Sequence, residues 1–155
     1  MLVVSAHAGD FVWRAGGAIA SHVLAGGAAH VVCLSFGERG ESASQWLEGK
    51  LLEEIKSIRR AEAQAAADAL GAGIEFLDQG DYPLRESEAA IAALVEVMRR
   101  TQPDVVLTHP LSDPYNGDHP AAARMALEAR VQAQAIGVPF ADGRLPTKDE
   151  IIGAP

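Results

Sequence analysis

Four short, largely apolar runs, each ending in polar or glycine-rich sequence and separated by stretches of helical composition, constrain this chain more than any other feature. Met1 to Ala6 (MLVVSA) and Ala29 to Phe36 (AHVVCLSF) lack the alternation of a strand with one wet face and read as strands covered on both sides. Ile74 to Leu77 is a short third run, and Asp104 to Thr108 (DVVLT) a fourth, opening after the helix-stopping Pro103. Between them lie four predicted helices. Phe11 to Ala25 places Val12, Ala15, Ile19 and Val23 on one face and closes at Gly26-Gly27. Leu47 to Leu70 is rich in Ala, Glu and Arg and closes at Gly71, and Glu86 to Arg100 and Ala121 to Ile136 complete the set.

Strand and helix in alternation predict an α/β fold: a Rossmann-like three-layer sandwich with a mostly parallel sheet, whose ligands gather at the carboxyl ends of the strands. At 155 residues the chain is expected to form a single domain, residues 1–155. Beyond Gly137 the pattern breaks (VPFADGRLPTKDEIIGAP), and the sequence reads as a domain lacking its C-terminal portion.

Composition narrows the classes of partner. Apolar residues make up 48% and charged residues 22%, as in ordinary globular proteins. A net charge of −8 argues against nucleic acid as a partner, because a phosphate backbone would be repelled. Cys33 has no second thiol to pair with, which excludes a disulfide-stapled scaffold and fits a small core residue. No apolar stretch approaches the roughly 20 residues of a membrane span, and no basic region precedes an apolar one at the N-terminus. The expectation is a cytoplasmic protein that does not enter membranes; a homo-oligomer is compatible with the sequence.

The chemistry begins where the first strand ends. His7 and Asp10 (SAHAGD) leave it within a single turn of chain, and Tyr115 to His119 (YNGDH) supplies a second Asp-His pair after strand four. If strands one and four are adjacent, His7, Asp10 and His119 come within reach of one cation. Two imidazoles and one carboxylate are a ligand set for zinc or a related divalent metal with open coordination positions. His109, at the end of strand four, could support that site or serve the structure alone. His22, in mid-helix, and His30, at the remote end of its strand, are poor ligand candidates.

The stretches SAHAGD, FGERGES, RRAEAQAAADALG and HPLSDPYNGDHPAA resemble, in order and spacing, the LmbE/PIG-L family of zinc-dependent deacetylases. The resemblance runs from His7 to about Ala123 and implies the LmbE-like fold and a metal held by His7, Asp10 and His119. Two departures accompany it. The family's first-motif aspartate, which activates water, is replaced by Gly9, and its general-acid histidine by Asn116, so the amide-cleaving acid and base are missing while the metal ligands remain.

The strings SAHAGDFVWRAGGAIA, HVVCLSFGERGES, GDYPL and DPYNGDHP resemble a hydratase branch of the same superfamily. That branch adds water across the double bond of a tricarboxylic keto acid in gallate and protocatechuate catabolism. Such a reaction needs a group to stabilise the developing enolate, a base for the water and an acid for the neighbouring carbon. Glu41, ahead of Glu38, is the candidate base from the glycine-flanked loop after strand two; Asp118 completes the catalytic candidates, more as an orienter than as a base. Arg39 first, then Arg14 and Arg85, are candidates for binding the carboxylates of the substrate, with Tyr115, Asn116 and Tyr82 as hydrogen-bonding groups. Arg59 and Arg60, with Glu62 nearby, read as members of ordinary helical ion pairs. Two alternatives stay open: a divergent deacetylase of an N-acetyl sugar or related amide, and a catalytically silent metal-binding fragment.

Overall fold

Both faces of the first strand, β1 (Leu2–Ser5), are buried, as its unbroken apolar run requires. The structure, a computed structural model describing residues 1–153, sets β1 in a four-stranded sheet with β2 (His30–Cys33), β3 (Gly73–Phe76) and β4 (Val106–Leu107). The order is β3-β2-β1-β4 and every pairing is parallel. Side chains alternate between two cores. Leu2, Val4, Val32 and Leu34 pack with Leu94 and Met98 of α4 (Glu88–Thr101) and with Ala122 and Met125 of α5 (Asp118–Gln134). Val3, Val31 and Cys33 face the other way, toward Ile19 of α1 (Gly16–Leu24) and Ala63 and Ala67 of α3 (Leu52–Leu70). This is the three-layer α/β sandwich expected from the alternation of strands and helices.

Of the departures from the predicted element boundaries, three have a clear local reason. Phe11–Ala15 is a π-helical turn, whose wider i→i+5 spacing shifts the phase of the segment. Phe11 rather than Val12 therefore joins Ala15 and Ile19 in the core, and Val12 is 39% exposed. The second predicted helix starts at Leu52 rather than Leu47, as α3, and Leu47 ends a separate short helix, α2 (Ala43–Leu47), because Gly49, at φ +77°, takes a left-handed conformation that no helix can pass through. The Leu51 N–H that opens α3 is taken by the Glu54 carboxylate at 2.7 Å. The last helix starts at Asp118 rather than Ala121, since Pro120 is tolerated in a first turn that needs no N–H donor. Asp118 and His119 thus sit on the rigid end of α5 instead of in a loop.

After α5 the chain folds back beneath α4. The guanidinium groups of Arg99 and Arg144 lie over the Phe140 ring at 4.9 and 4.2 Å, and Ile152 is buried with the α4–α5 core. Arg99, itself buried, donates to the carbonyls of Gln132 and Ala135 and so caps the end of α5. Among the described residues no helix is long and apolar enough to cross a membrane.

For the site, the consequence lies in strand order. β1 is flanked by β2 and β4, so the loops leaving all three open at one edge of the sheet. Leu94, fully buried at the contact between α4 and the sheet, tests this packing. Leu94→Ala is expected to lower unfolding free energy by about 2–5 kcal/mol in urea denaturation; a loss below about 1 kcal/mol would contradict it.

Candidate metal centre and active site

The loop after β1 is closed by its own aspartate. Asp10 Oδ2 accepts the backbone N–H of His7 at 3.1 Å and lies 3.0 Å from His7 Nδ1, while Ser5 Oγ donates to the His7 carbonyl at 2.9 Å. From α5, His119 brings Nε2 to 3.4 Å from Asp10 Oδ1. His7, Asp10 and His119 are all buried, and their donor atoms lie within 4.8 Å of one another.

Two carboxylates set which nitrogen of each ring faces the centre. Asp113 Oδ2 accepts from His119 Nδ1 at 2.6 Å, so the proton sits on Nδ1 and the lone pair on Nε2. That Nε2 is buried without a hydrogen-bond partner, pointing toward a carboxylate oxygen. Asp118 Oδ2 accepts from His7 Nε2 at 3.1 Å, which leaves Nδ1 of His7 facing Asp10. An acceptor nitrogen turned on a carboxylate is repulsive unless a cation or a proton lies between them. The 3.4 Å between His119 Nε2 and Asp10 Oδ1 is a separation that bonds of about 2.0–2.2 Å produce around a tetrahedral ion, while the 3.0 Å between His7 Nδ1 and Asp10 Oδ2 is a hydrogen-bond length. The residues present therefore fit a divalent metal held by His7 Nδ1, Asp10 and His119 Nε2.

The electrostatics agree. Burial alone would lower the His7 pKa, but its hydrogen bonds to Asp10 and Asp118 outweigh that and raise it to about 9: without a metal, a proton balances the carboxylates. Burial would raise Asp10, yet the hydrogen bond from His7 and the charges of His7, His109 and His119 hold it down at about 2. Asp118 is also lowered, the cost of burial being overcome by the N–H groups of Tyr82 and Leu84 and by His7.

His109 is part of the site without being a ligand. Its Nε2 accepts the Ala6 N–H at 3.0 Å, which uses the lone pair a metal would need, and burial lowers its pKa to about 4. The ring stacks on His119 at 4.2 Å with an interplanar angle of 5° and fixes the plane of that imidazole.

The structure separates the three acidic candidates. Glu41 Oε2 accepts the Gly9 N–H at 3.1 Å and the Arg59 guanidinium at 2.7 Å, which places its carboxylate over the first-motif loop. A Cβ at position 9 would lie 3.0 Å from Oε2 and 3.1 Å from Oε1 of Glu41, so the carboxylate fills the space that a side chain at residue 9 would enter. Glu38 is turned under its own loop, where it accepts the Phe36 N–H at 3.1 Å; burial and the neighbouring Asp81 raise its pKa. It supports the loop rather than facing the centre. Asp118 is not a base either: with Tyr82 N–H, Leu84 N–H and His7 on its two oxygens, it is a positioning group.

The substrate-binding candidates divide in the same way. Both ends of the Asn116 amide are engaged, Nδ2 donating to Tyr82 Oη at 3.1 Å and Oδ1 accepting the Asp118 N–H at 2.9 Å, so Asn116 braces the start of α5 rather than offering a polar group to a ligand. Arg14 Nε lies 3.3 Å from Asp10 Oδ1, beside a pocket of about 280 Å³ lined in part by Asp10, Thr108, His109 and Pro110. Arg39 and Arg85 are exposed on the loops after β2 and β3, and Tyr115 is 95% exposed. Tyr82 stacks over His7 with ring centroids 5.8 Å apart. Sequence reasoning missed Asp113; the Ser-Asp-Pro turn was its signal, since an aspartate there binds the backbone N–H two residues on, as Asp113 does with Tyr115. His22 and His30 lie away from the centre, His30 paired with Glu75 at 2.8 Å.

A family model, PIG-L: GlcNAc-PI de-N-acetylase, matches residues 2–130 and so spans every group described here except the tail. The chain belongs to the PIG-L family. It is 56% identical, over 99% of its length, to a 4-oxalmesaconate hydratase of Pseudomonas putida. A crystal structure of the 4-carboxy-2-hydroxymuconate hydratase from the same species aligns with 94% of the chain at TM-score 0.87 and 55% identity. Deacetylases are more distant. The N,N'-diacetylchitobiose deacetylase of Pyrococcus horikoshii aligns with 88% of the chain at TM-score 0.79 and 28% identity. A 1D-myo-inositol 2-acetamido-2-deoxy-alpha-D-glucopyranoside deacetylase of Rhodococcus opacus is 30% identical over 83% of the chain. The chain spans 57% of the length of the Pseudomonas hydratase and 51% to 61% of the chains in the two crystal structures.

If Asp113 fixes the donor nitrogen of His119, Asp113→Ala should weaken metal binding by about 10–100-fold without removing a ligand. Competition against a fluorescent chelator measures this, and an unchanged affinity would contradict the orienting role.

Proposed function

We propose that this chain forms the metal-binding part of a hydratase that adds water to 4-oxalomesaconate to give 4-carboxy-4-hydroxy-2-oxoadipate, in gallate and protocatechuate catabolism. The observation that carries the reading is the Glu41 carboxylate seated against Gly9 beside an intact His7, Asp10 and His119 set. A hydratase needs one base beside the metal and no acid for a departing amine. The chain supplies that base from the loop after β2 and has locked Asn116 into a structural role. The 56% identity to a protein named for this hydration supports the same choice.

His7, Asp10 and His119 would hold the cation, expected to be zinc from the family. When bound, it supplies Lewis-acid stabilisation of the negative charge that develops on the conjugated carbonyl oxygen. Glu41 removes a proton from the attacking water, whose oxygen bonds to the carbon bearing the new hydroxyl. The neighbouring carbon takes up one proton from solvent while Glu41 releases the one it removed, so the elements of water are added and nothing else leaves. Arg39 and Arg85, exposed on the loops after β2 and β3, and Arg14, beside Asp10, would receive the three carboxylates of the substrate. Tyr82, stacked over His7, and the exposed Tyr115 would offer it hydrogen-bonding groups. The reading carries with it a cytoplasmic enzyme of a small tricarboxylate, with no nucleic-acid or membrane partner and with self-association into a homo-oligomer open to it.

Loss of oxalomesaconate absorbance in the ultraviolet tests the reading. Glu41→Gln is expected to lower kcat by about 10²–10⁴-fold with metal content unchanged. A full rate in Glu41→Gln would contradict the proposal. So would amine release from acetylated sugars with no absorbance loss, or bound metal with neither activity.

A further inference from the structure

Arg59 projects from α3, the helix on the opposite side of the loop after β2 from the metal-binding residues, and is only 16% exposed at its side chain. Its guanidinium is held at three points: Nε donates to the Phe36 carbonyl at 3.3 Å, Nη1 to Glu62 Oε2 at 2.6 Å, and Nη2 to Glu41 Oε2 at 2.7 Å. The pair with Glu62 is the helical ion pair that sequence spacing implies; the contact with Glu41 crosses from helix to loop and has no such local cause. It falls on the same oxygen that accepts the Gly9 N–H at 3.1 Å. Oε2 is thus fixed by two donors, while none of the hydrogen bonds described involves Oε1.

We propose that Arg59 is a positioning residue for Glu41: with the Gly9 N–H it pins one carboxylate oxygen and presents the other to the proton that the reaction moves. The inference rests on the reading of Glu41 as base. The loop itself cannot do this work. Gly37 is in the left-handed region at φ +67°, and a Cβ there would lie 2.5 Å from Glu41 Oε2, so position 37 has no side chain to hold the carboxylate. A glutamate on such a loop retains its rotamer freedom unless something outside the loop holds it, and displacing a reacting group by about 1 Å can cost on the order of 100-fold in rate. Arg59 is attached to a helix of 19 residues and carries the rigidity of the sandwich to the carboxylate. Methionine keeps the stem and loses the fork; lysine keeps one charged donor but cannot hold Phe36, Glu62 and Glu41 together.

The test compares Arg59→Met, Arg59→Lys, Glu62→Gln and Glu41→Gln. Amide exchange at Gly9, followed by NMR, reports the carboxylate's position without reference to turnover. Arg59→Met should speed Gly9 exchange by at least threefold, Arg59→Lys less, and Glu62→Gln hardly at all. In the oxalomesaconate assay Arg59→Met should lower kcat by about 10–100-fold with KM within twofold, and should have no further effect in the Glu41→Gln background. Unchanged Gly9 exchange and unchanged kcat in Arg59→Met, while Glu41→Gln is inactive, would overturn the role of Arg59 and leave Glu41 as base. Loss of kcat in Glu62→Gln equal to that in Arg59→Met would reassign the effect to the helical ion pair and overturn it too. Full activity in Glu41→Gln would overturn the base, and with it the positioning role proposed for Arg59, even if Gly9 exchange responds as expected.

Discussion

A carboxylate buried among three imidazole rings has to be compensated, and the sheet edge is organised around the one that Asp10 places there. Its oxygens lie 3.0 Å from His7 Nδ1, 3.4 Å from His119 Nε2 and 3.5 Å from His109 Nε2. Taking an ionised carboxylate out of water is costly unless opposite charge or hydrogen bonds replace the solvent. Asp10 obtains some of this from the His7 N–H and some from Arg14, but the space between the rings calls for a positive centre. In the metal-free protein the proton on His7, with its pKa raised to about 9, supplies it. A divalent cation on the same three residues would supply it and would also satisfy the lone pair of His119.

The parallel topology makes that arrangement affordable in a small domain. Four strand ends deliver four loops to one edge, and each loop has a separate task. The β1 loop brings His7 and Asp10; the β2 loop brings Glu41; the segment after β3 supplies the Tyr82 and Leu84 N–H groups that hold Asp118; and the segment after β4 brings His109 and Asp113 before entering α5. Because Asp118 and His119 belong to the first turn of α5, they are fixed by a helix packed on the sheet. A carboxylate carried by the β2 loop lies across the β1 loop because of Gly9: the absent Cβ gives Glu41 room there.

The layered fold was legible because the apolar runs are short and alternate with stretches of helical composition, and such runs have few solutions other than a sheet covered on both faces. The clustering of His7, Asp10 and His119 was legible for a related reason: the order β3-β2-β1-β4 puts the two histidine-bearing loops side by side, and that adjacency was the condition on which their meeting depended. What could not be read was set by contacts between segments distant in sequence. Phe11 displaces Val12 from the core through a π turn that leaves no compositional trace. Glu38 and Glu41 are equivalent as residues in a glycine-flanked loop and are told apart only by the Phe36 N–H beneath one and the Gly9 N–H beside the other. Arg59 satisfies its expected partner, Glu62, and still reaches Glu41, a contact that helical spacing cannot reveal.

The most direct test of the central claim is an anomalous-difference map from crystals of the protein grown with zinc. A single strong peak should appear within about 2.0–2.2 Å of His7 Nδ1, a carboxylate oxygen of Asp10 and His119 Nε2, with His109 unbound. A peak bonded to His109, a peak elsewhere on the surface, or no density between the rings would contradict it.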